Sequence, residues 1–133
     1  MILVDTSVWI DYFNDIDSPH SNALDLALVS GTAAIGDIIF LEILQGFKSD
    51  KDYKNAKSQL FKLDQYEMFG NHMIELCASN YRSLRKIGIT IRGTADVIIA
   101  TFCIENKLPL LFKDKDFTPF VEYLGLLPAH LET

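Results

Sequence analysis

Short apolar runs alternate along this chain with stretches in which apolar residues recur every three or four positions. Ile2-Leu3-Val4 is a β-branched run closed by Asp5 and predicts a buried strand. Val8, Trp9, Ile10 and Phe13 then keep helical spacing, with Thr6 or Ser7 as the cap and Asn14-Asp15 as the close. Ser18-Pro19 predicts a second helix start, because proline fits the first helical turn. Ala23, Leu24, Ala27 and Leu28 form its apolar face, and Gly31 ends it. Thr32 to Ile35 predicts a second strand, and Asp37 a cap for a helix from Ile38 to Gln45 that Gly46 stops.

The second half repeats the alternation. Residues 48–62 predict a lysine-rich amphipathic helix, Tyr66 to Phe69 a third strand, and Asn71 the cap of a long helix ended by Gly88. Thr94 caps a predicted helix from Ala95 to Asn106 that is apolar nearly all round, hence central and buried. Leu108 to Phe112 predicts a further strand, and Asp116 onwards turns or short helix. Four to five short strands alternating with helices predict a three-layer α/β/α sandwich around a mainly parallel sheet, one domain over residues 1–133.

Composition removes other classes. With 49% hydrophobic residues the chain can bury a core, and seven glycines and four prolines in 133 residues exclude collagen-like or low-complexity sequence. The longest apolar stretch, roughly Val97 to Ile104, is far below the 18 residues of a membrane span, so no membrane association is expected. No basic segment leads into an apolar run at the amino terminus, and Cys77 and Cys103 lie in apolar helical patterns without metal-ligand spacing. A cytoplasmic protein is the expectation. The net charge of −6 argues at first against a nucleic-acid partner.

The placement of the acids changes that picture. Asp5 directly follows the first strand, where ligands of open α/β sheets bind, the lesser alternative being that it only caps the following helix. Glu42 is the only charged residue between Ile38 and Leu44 and has no Lys or Arg three or four positions away. Such a carboxylate must find a cation, take a proton, or escape to solvent at the helix edge. Asp96 opens the most apolar helix, where the helix dipole or Arg92 four residues earlier is an adequate explanation by itself. Asp114 and Asp116 follow the Leu108–Phe112 run and are, singly, ordinary turn residues.

Together they mean more. Parallel topology brings the ends of these segments to one edge of the sheet, where the carboxylates would repel unless cations sit between them. All-oxygen donors without His or Cys select Mg²⁺ or Mn²⁺, and acid-lined sites of this kind hydrolyse phosphodiesters. The five acids account for −5 of the −6, leaving −1 on the rest of the chain. A nucleic-acid substrate is then compatible with the charge. Lys48, Lys51, Lys54, Lys57 and Lys62, and Arg82, Arg85, Lys86 and Arg92, are two basic groups that either contact phosphates or form solvated helix faces.

The stretches Met-Ile-Leu-Val-Asp5-Thr-Ser-Val-Trp, Leu-Glu42-Ile-Leu-Gln-Gly46, Ala-Asp96-Val-Ile-Ile-Ala100 and Leu-Leu-Phe-Lys-Asp114-Lys-Asp116-Phe117 resemble the successive acidic motifs of the PIN domain. Length and motif order are similar to the VapC toxins of toxin–antitoxin pairs. The resemblance implies a Mg²⁺- or Mn²⁺-dependent endoribonuclease acting on RNA such as tRNA or rRNA, neutralised by a cognate antitoxin and dimeric. It implies that Asp5, Glu42, Asp96 and Asp114 are catalytic metal-binding acids, that Asp116 is an additional metal-binding acid, and that the Thr6 hydroxyl orients the ligands. Arg92 and Lys113 are the nearest candidates for substrate contact. One departure is Phe112, where the family often has Thr or Ser.

Nucleophilic catalysis has no basis here, because His20, His72 and His130 lie outside the acidic motifs. Haloacid-dehalogenase phosphatases need Asp-x-Asp and position 7 is Ser; a response-regulator receiver needs a mid-chain acceptor acid that polar residues 46–57 do not offer. The remaining alternative is a catalytically silent PIN-fold module acting through protein–protein contacts. Trp9, Phe13, Leu41, Phe47 and Phe61 are either plain core or a groove for an apolar antitoxin segment.

Overall fold

The computed structural model describes residues 1–131. Its sheet has four parallel strands in the order β3-β2-β1-β4: β1 (Ile2–Val4), β2 (Ala33–Gly36), β3 (Asp64–Tyr66) and β4 (Leu110–Leu111). Leu3 pairs with both Ala34 and Leu110, so β1 is interior and its apolar run is buried on both faces. Among the described residues seven α-helices flank the sheet: α1 (Thr6–Phe13), α2 (Pro19–Ser30), α3 (Asp37–Gln45), α4 (Asp50–Leu60), α5 (Asn71–Lys86), α6 (Thr94–Asn106) and α7 (Thr118–Leu124). Right-handed crossovers put α1 to α4 on one face and α5 with α6 on the other. The packing agrees: α1 meets α2 and α3, α3 meets α4, and α5 meets α6. The expected three-layer α/β/α sandwich is the observed architecture.

The core follows the apolar periodicities. Leu3, Val4, Val8, Trp9, Ile35, Ile39, Ile43, Ile99, Leu110 and Phe117 are all buried. α6 buries residues around its whole circumference, from Val97 to Cys103, as its unbroken apolar sequence requires. Thr101, the polar residue in that run, is buried and accepts a hydrogen bond from Asn80 Nδ2 of α5 at 3.0 Å.

Element boundaries moved in instructive ways. The third strand is Asp64–Tyr66 rather than Tyr66–Phe69, because an edge strand pairs through its backbone and tolerates polar side chains. The apolar residue that follows, Met68, instead enters the core against Gly36, where an added Cβ would lie 2.1 Å from Met68 Sδ. β4 is shorter than Leu108–Phe112, and Leu110 continues its pairing to Leu127 and Ala129 at 2.9 Å each, which covers the sheet edge. Three expected caps, Asp37, Asn71 and Thr94, are first helical residues after Gly36, Gly70 and Gly93. α1 likewise takes Asp5 as its cap rather than Thr6 or Ser7. The Asp37 carboxylate, released from capping, accepts from the backbone amides of Ile38 at 2.8 Å and Met68 at 3.0 Å, tying α3 to the segment after β3.

Candidate active site

The order β3-β2-β1-β4 reverses direction between β1 and β4, the switch point at which open α/β sheets place their ligands. The Asp5 amide donates to the Leu111 carbonyl at 2.9 Å, so the carboxyl ends of these two strands are pinned together. Asp5 leaves one end, and Asp114 and Asp116 follow the other. α3 and α6 also meet, which carries Glu42 towards Asp96 at the start of α6.

Asp5 is buried, with 5% of its surface exposed. It sits at the cap position of α1 with extended backbone, but its side chain makes no capping bond. Its Oδ2 accepts instead from the Ser7 hydroxyl at 2.9 Å. Burial pushes the Asp5 carboxyl above the usual carboxylate range, opposed by that hydroxyl. Glu42 is half-buried, and its Oε1 accepts from the Thr6 hydroxyl at 2.7 Å. That bond, absent from any reading of α3 alone, is the partner its helix could not provide.

Asp96, Asp114 and Asp116 form the tightest group, each offering a carboxylate oxygen within 4.8 Å of the others. Asp114 Oδ1 accepts from the Asp116 amide at 2.9 Å, so the two turn acids are held by their own loop. Burial pushes Asp96 up to about 7, with Asp5, Asp114, Glu42 and Asp116 each adding repulsion. Asp96 therefore feels all four other acids of the motif set, including the two outside the tight group. No basic side chain offsets this charge: among the described residues the one ion pair is Lys113 with Asp11. The Arg92–Asp96 pairing that sequence spacing allows does not form, and Arg92 is exposed just ahead of α6.

Five acids from four separate segments thus converge at one sheet edge, with hard oxygen donors only and no resident cation among the side chains. Such a donor set suits a hard divalent cation. Cys103 lies near Asp5 but is buried, and burial with the Asp5 charge pushes its thiol up to about 12, so it offers neither a thiolate ligand nor a nucleophile. Both cysteines are buried and free.

Lys113, expected at the substrate, gives its ammonium to Asp11 of α1 instead. Two polar residues of α1 were not singled out in the sequence. Sequence spacing marks Ser7 only as a helix cap, and the signal for Asp11 is that it is an isolated acid among Val8, Trp9, Ile10, Tyr12 and Phe13, as Glu42 is on α3. Of the five residues suggested for a partner groove, Trp9 is core, while Leu41 and Phe61 are exposed. Phe13 and Phe47 stack edge-on and line an open cleft of about 440 Å³ against α4. No described helix is long and apolar enough to cross a membrane.

The parallel sheet with acids at its switch point is that of an α/β ligand-binding fold, and the PIN-domain family profile matches residues 2–120. The chain belongs to that family. Within it, the chain is 29% identical over 131 residues to VapC ribonuclease Mb1587 of Mycobacterium bovis and, equally, to ribonuclease VapC11 of Mycobacterium tuberculosis, covering 97% of this chain and 98% of each relative. Among solved structures it is similar to VapBC2 from Rickettsia felis bound to a promoter DNA fragment, with a TM-score of 0.77 and 20% identity over 99% of this chain and 100% of the other. A toxin–antitoxin complex from Klebsiella pneumoniae superposes with a TM-score of 0.71 and 17% identity over the same shares.

Proposed function

We propose that the protein is a VapC-type toxin, an endoribonuclease that requires Mg²⁺ or Mn²⁺ and is held inactive by a cognate antitoxin. The observation that carries the reading is the group of Asp96, Asp114 and Asp116, whose carboxylate oxygens lie within 4.8 Å of one another beyond the switch point of the sheet. Full-length similarity to ribonucleases of the VapC type supports the reaction class, and likeness to antitoxin-bound structures supports the partner.

Asp96, Asp114 and Asp116 would hold the cation, with Asp5 and Glu42 completing its oxygen environment. When bound, the ion supplies a water of lowered pKa and charge stabilisation at an RNA phosphodiester. The chain's own residues do the remaining work. Ser7 orients Asp5 and Thr6 orients Glu42, each by donating a hydroxyl to one carboxylate oxygen. Burial of Asp5 beneath the site keeps water from screening the charge there. Arg92, exposed ahead of α6, would meet the phosphate backbone of tRNA or rRNA. The cleft between Phe13 and Phe47, together with exposed Leu41 and Phe61, is the surface offered to the antitoxin. The protein acts as a cytoplasmic homodimer of one domain per chain.

The test is direct. Antitoxin-free protein incubated with total tRNA and rRNA should cleave with Mg²⁺ or Mn²⁺ and stop with EDTA, leaving 5′-phosphate and 3′-hydroxyl ends. Asp5→Asn should abolish cleavage while the fold is retained; full activity in that variant rejects the assignment.

A further inference from the structure

α1 serves the acid cluster at more points than the motif acids reveal. Its first turn supplies the Thr6 hydroxyl to Glu42 and the Ser7 hydroxyl to Asp5. One turn further on, Asp11 takes the Lys113 ammonium, across a separation of 102 residues. Lys113 immediately precedes Asp114, and Asp116 lies just beyond. Three side chains of one helix therefore reach three of the segments that carry the acids.

The loop that holds Asp114 and Asp116 needs such an anchor. Both acids are exposed, and with Asp96 they form a group of like charges whose mutual repulsion favours spreading the loop outward. At one end the loop is fixed by the Leu111 carbonyl on the Asp5 amide, and beneath it the Phe112 ring packs on Phe117 at 5.4 Å. The Asp114–Asp116 bond is internal to the loop and sets its local turn, not its position relative to the rest of the site. Between Leu111 and Asp114, Lys113 is the residue whose polar head reaches another element. Asp11 is a firm partner: its side chain is 12% exposed against 40% for Lys113, so the pair is shielded from solvent on the acid side.

We infer that Lys113 is a positioning residue, which acts through Asp11 to hold the Asp114–Asp116 loop at the separation from Asp96 that binds the cation. The inference rests on the reading of the acid cluster as a metal-dependent nuclease centre and adds to it the device that sets its geometry. Lys113 then does not touch RNA, and Asp11 does not touch the metal.

Mn²⁺ binding to the intact protein, followed by paramagnetic resonance, and steady-state cleavage of an RNA substrate test this together. Lys113→Met should weaken Mn²⁺ binding and lower kcat by about tenfold or more, the usual effect of removing a partner that orients metal ligands. KM for RNA should stay within about twofold, since no substrate contact is lost. Lys113→Arg, which keeps the charge on Asp11, should recover most of both losses. Asp11→Asn should reproduce the Lys113→Met defect, and combining the two should be no worse than either alone. Because Asp11→Asn also removes the buried charge, it gives the same readout should Lys113→Met fail to fold. A raised KM with unchanged Mn²⁺ binding in Lys113→Met would make Lys113 a substrate contact and overturn the inference, as would wild-type behaviour in both single variants. Failure of the underlying reading looks different: the wild-type protein itself then neither binds Mn²⁺ nor cleaves RNA, and both proposals fall before any variant is compared.

Discussion

The Thr6 hydroxyl lies 2.7 Å from Glu42 Oε1 and donates to it, joining the first residue of α1 to the middle of α3. This bond fixes one oxygen of a half-buried carboxylate that has no cation on its own helix. Thr6→Val, which keeps the shape and removes the donor, should weaken Mn²⁺ binding and slow RNA cleavage by about tenfold or more. Thr6→Ser should retain most of the activity. Unchanged Mn²⁺ affinity in Thr6→Val would mean that Glu42 needs no orientation.

Removing one charge from the acid cluster should stabilise the metal-free protein while destroying its function. Asp96 is pushed up to about 7, first by burial and then by repulsion from Asp5, Asp114, Glu42 and Asp116. Asp96→Asn should therefore raise Tm in EDTA. Solvent screens the half-exposed group, which holds the gain to on the order of 1 kcal/mol, about 4 °C for a domain of this length. The same variant should show no Mn²⁺-induced rise in Tm. Thermal denaturation with and without Mn²⁺ reads both effects.

The pH dependence has a defined sign. The Asp96 carboxyl titrates near 3.8 when unfolded and near 7 when folded, so between those values the folded protein binds the extra proton. Stability of the metal-free protein contributed by this group is greatest below about pH 4 and falls as pH rises to about 7. Asp5, raised by burial, pulls in the same direction. Bound Mn²⁺ favours the deprotonated acids, so the Mn²⁺-induced increase in Tm should be larger at about pH 8 than at about pH 5. A metal-free Tm that climbs steadily from about pH 5 to pH 8 would contradict the arrangement.

Gly36 is required by packing. Any Cβ there would meet Met68 Sδ at 2.1 Å, and Met68 is fully buried. Gly36→Ala should cost about 1–3 kcal/mol, the range for overpacking a close-fitted core. Combining it with Met68→Ala should give a loss smaller than the sum of the two single losses, because the vacated side chain makes room for the methyl. Urea unfolding of the four proteins measures the coupling.

Much of the fold was legible because its signals are local. The run Ile2-Leu3-Val4 reads as a buried strand, and the nearly all-round apolar pattern of residues 97–103 as a central helix, and both are found. Caps were less legible. Gly36, Gly70 and Gly93 took that position one residue ahead of Asp37, Asn71 and Thr94, since glycine is tolerated there and the polar side chain was free for other partners. The third strand was misplaced because an edge strand is held by backbone pairing, which leaves no mark on side-chain pattern.

The acids divide along the same line. That Glu42 is out of keeping with its local surroundings is a property of the amino-acid sequence, set by the cost of a carboxylate in apolar company, whereas Asp5, Asp96, Asp114 and Asp116 are locally ordinary and are marked only by their common placement at the ends of strands and helices. Which group answers each one depends on strand order. Thr6 meets Glu42 across 36 residues and Lys113 meets Asp11 across 102, contacts that exist only because β1 lies between β2 and β4. Local chemistry named the charges; the parallel sheet chose their partners, since side chains pair by distance in space and the chain alone does not encode that distance at any one position.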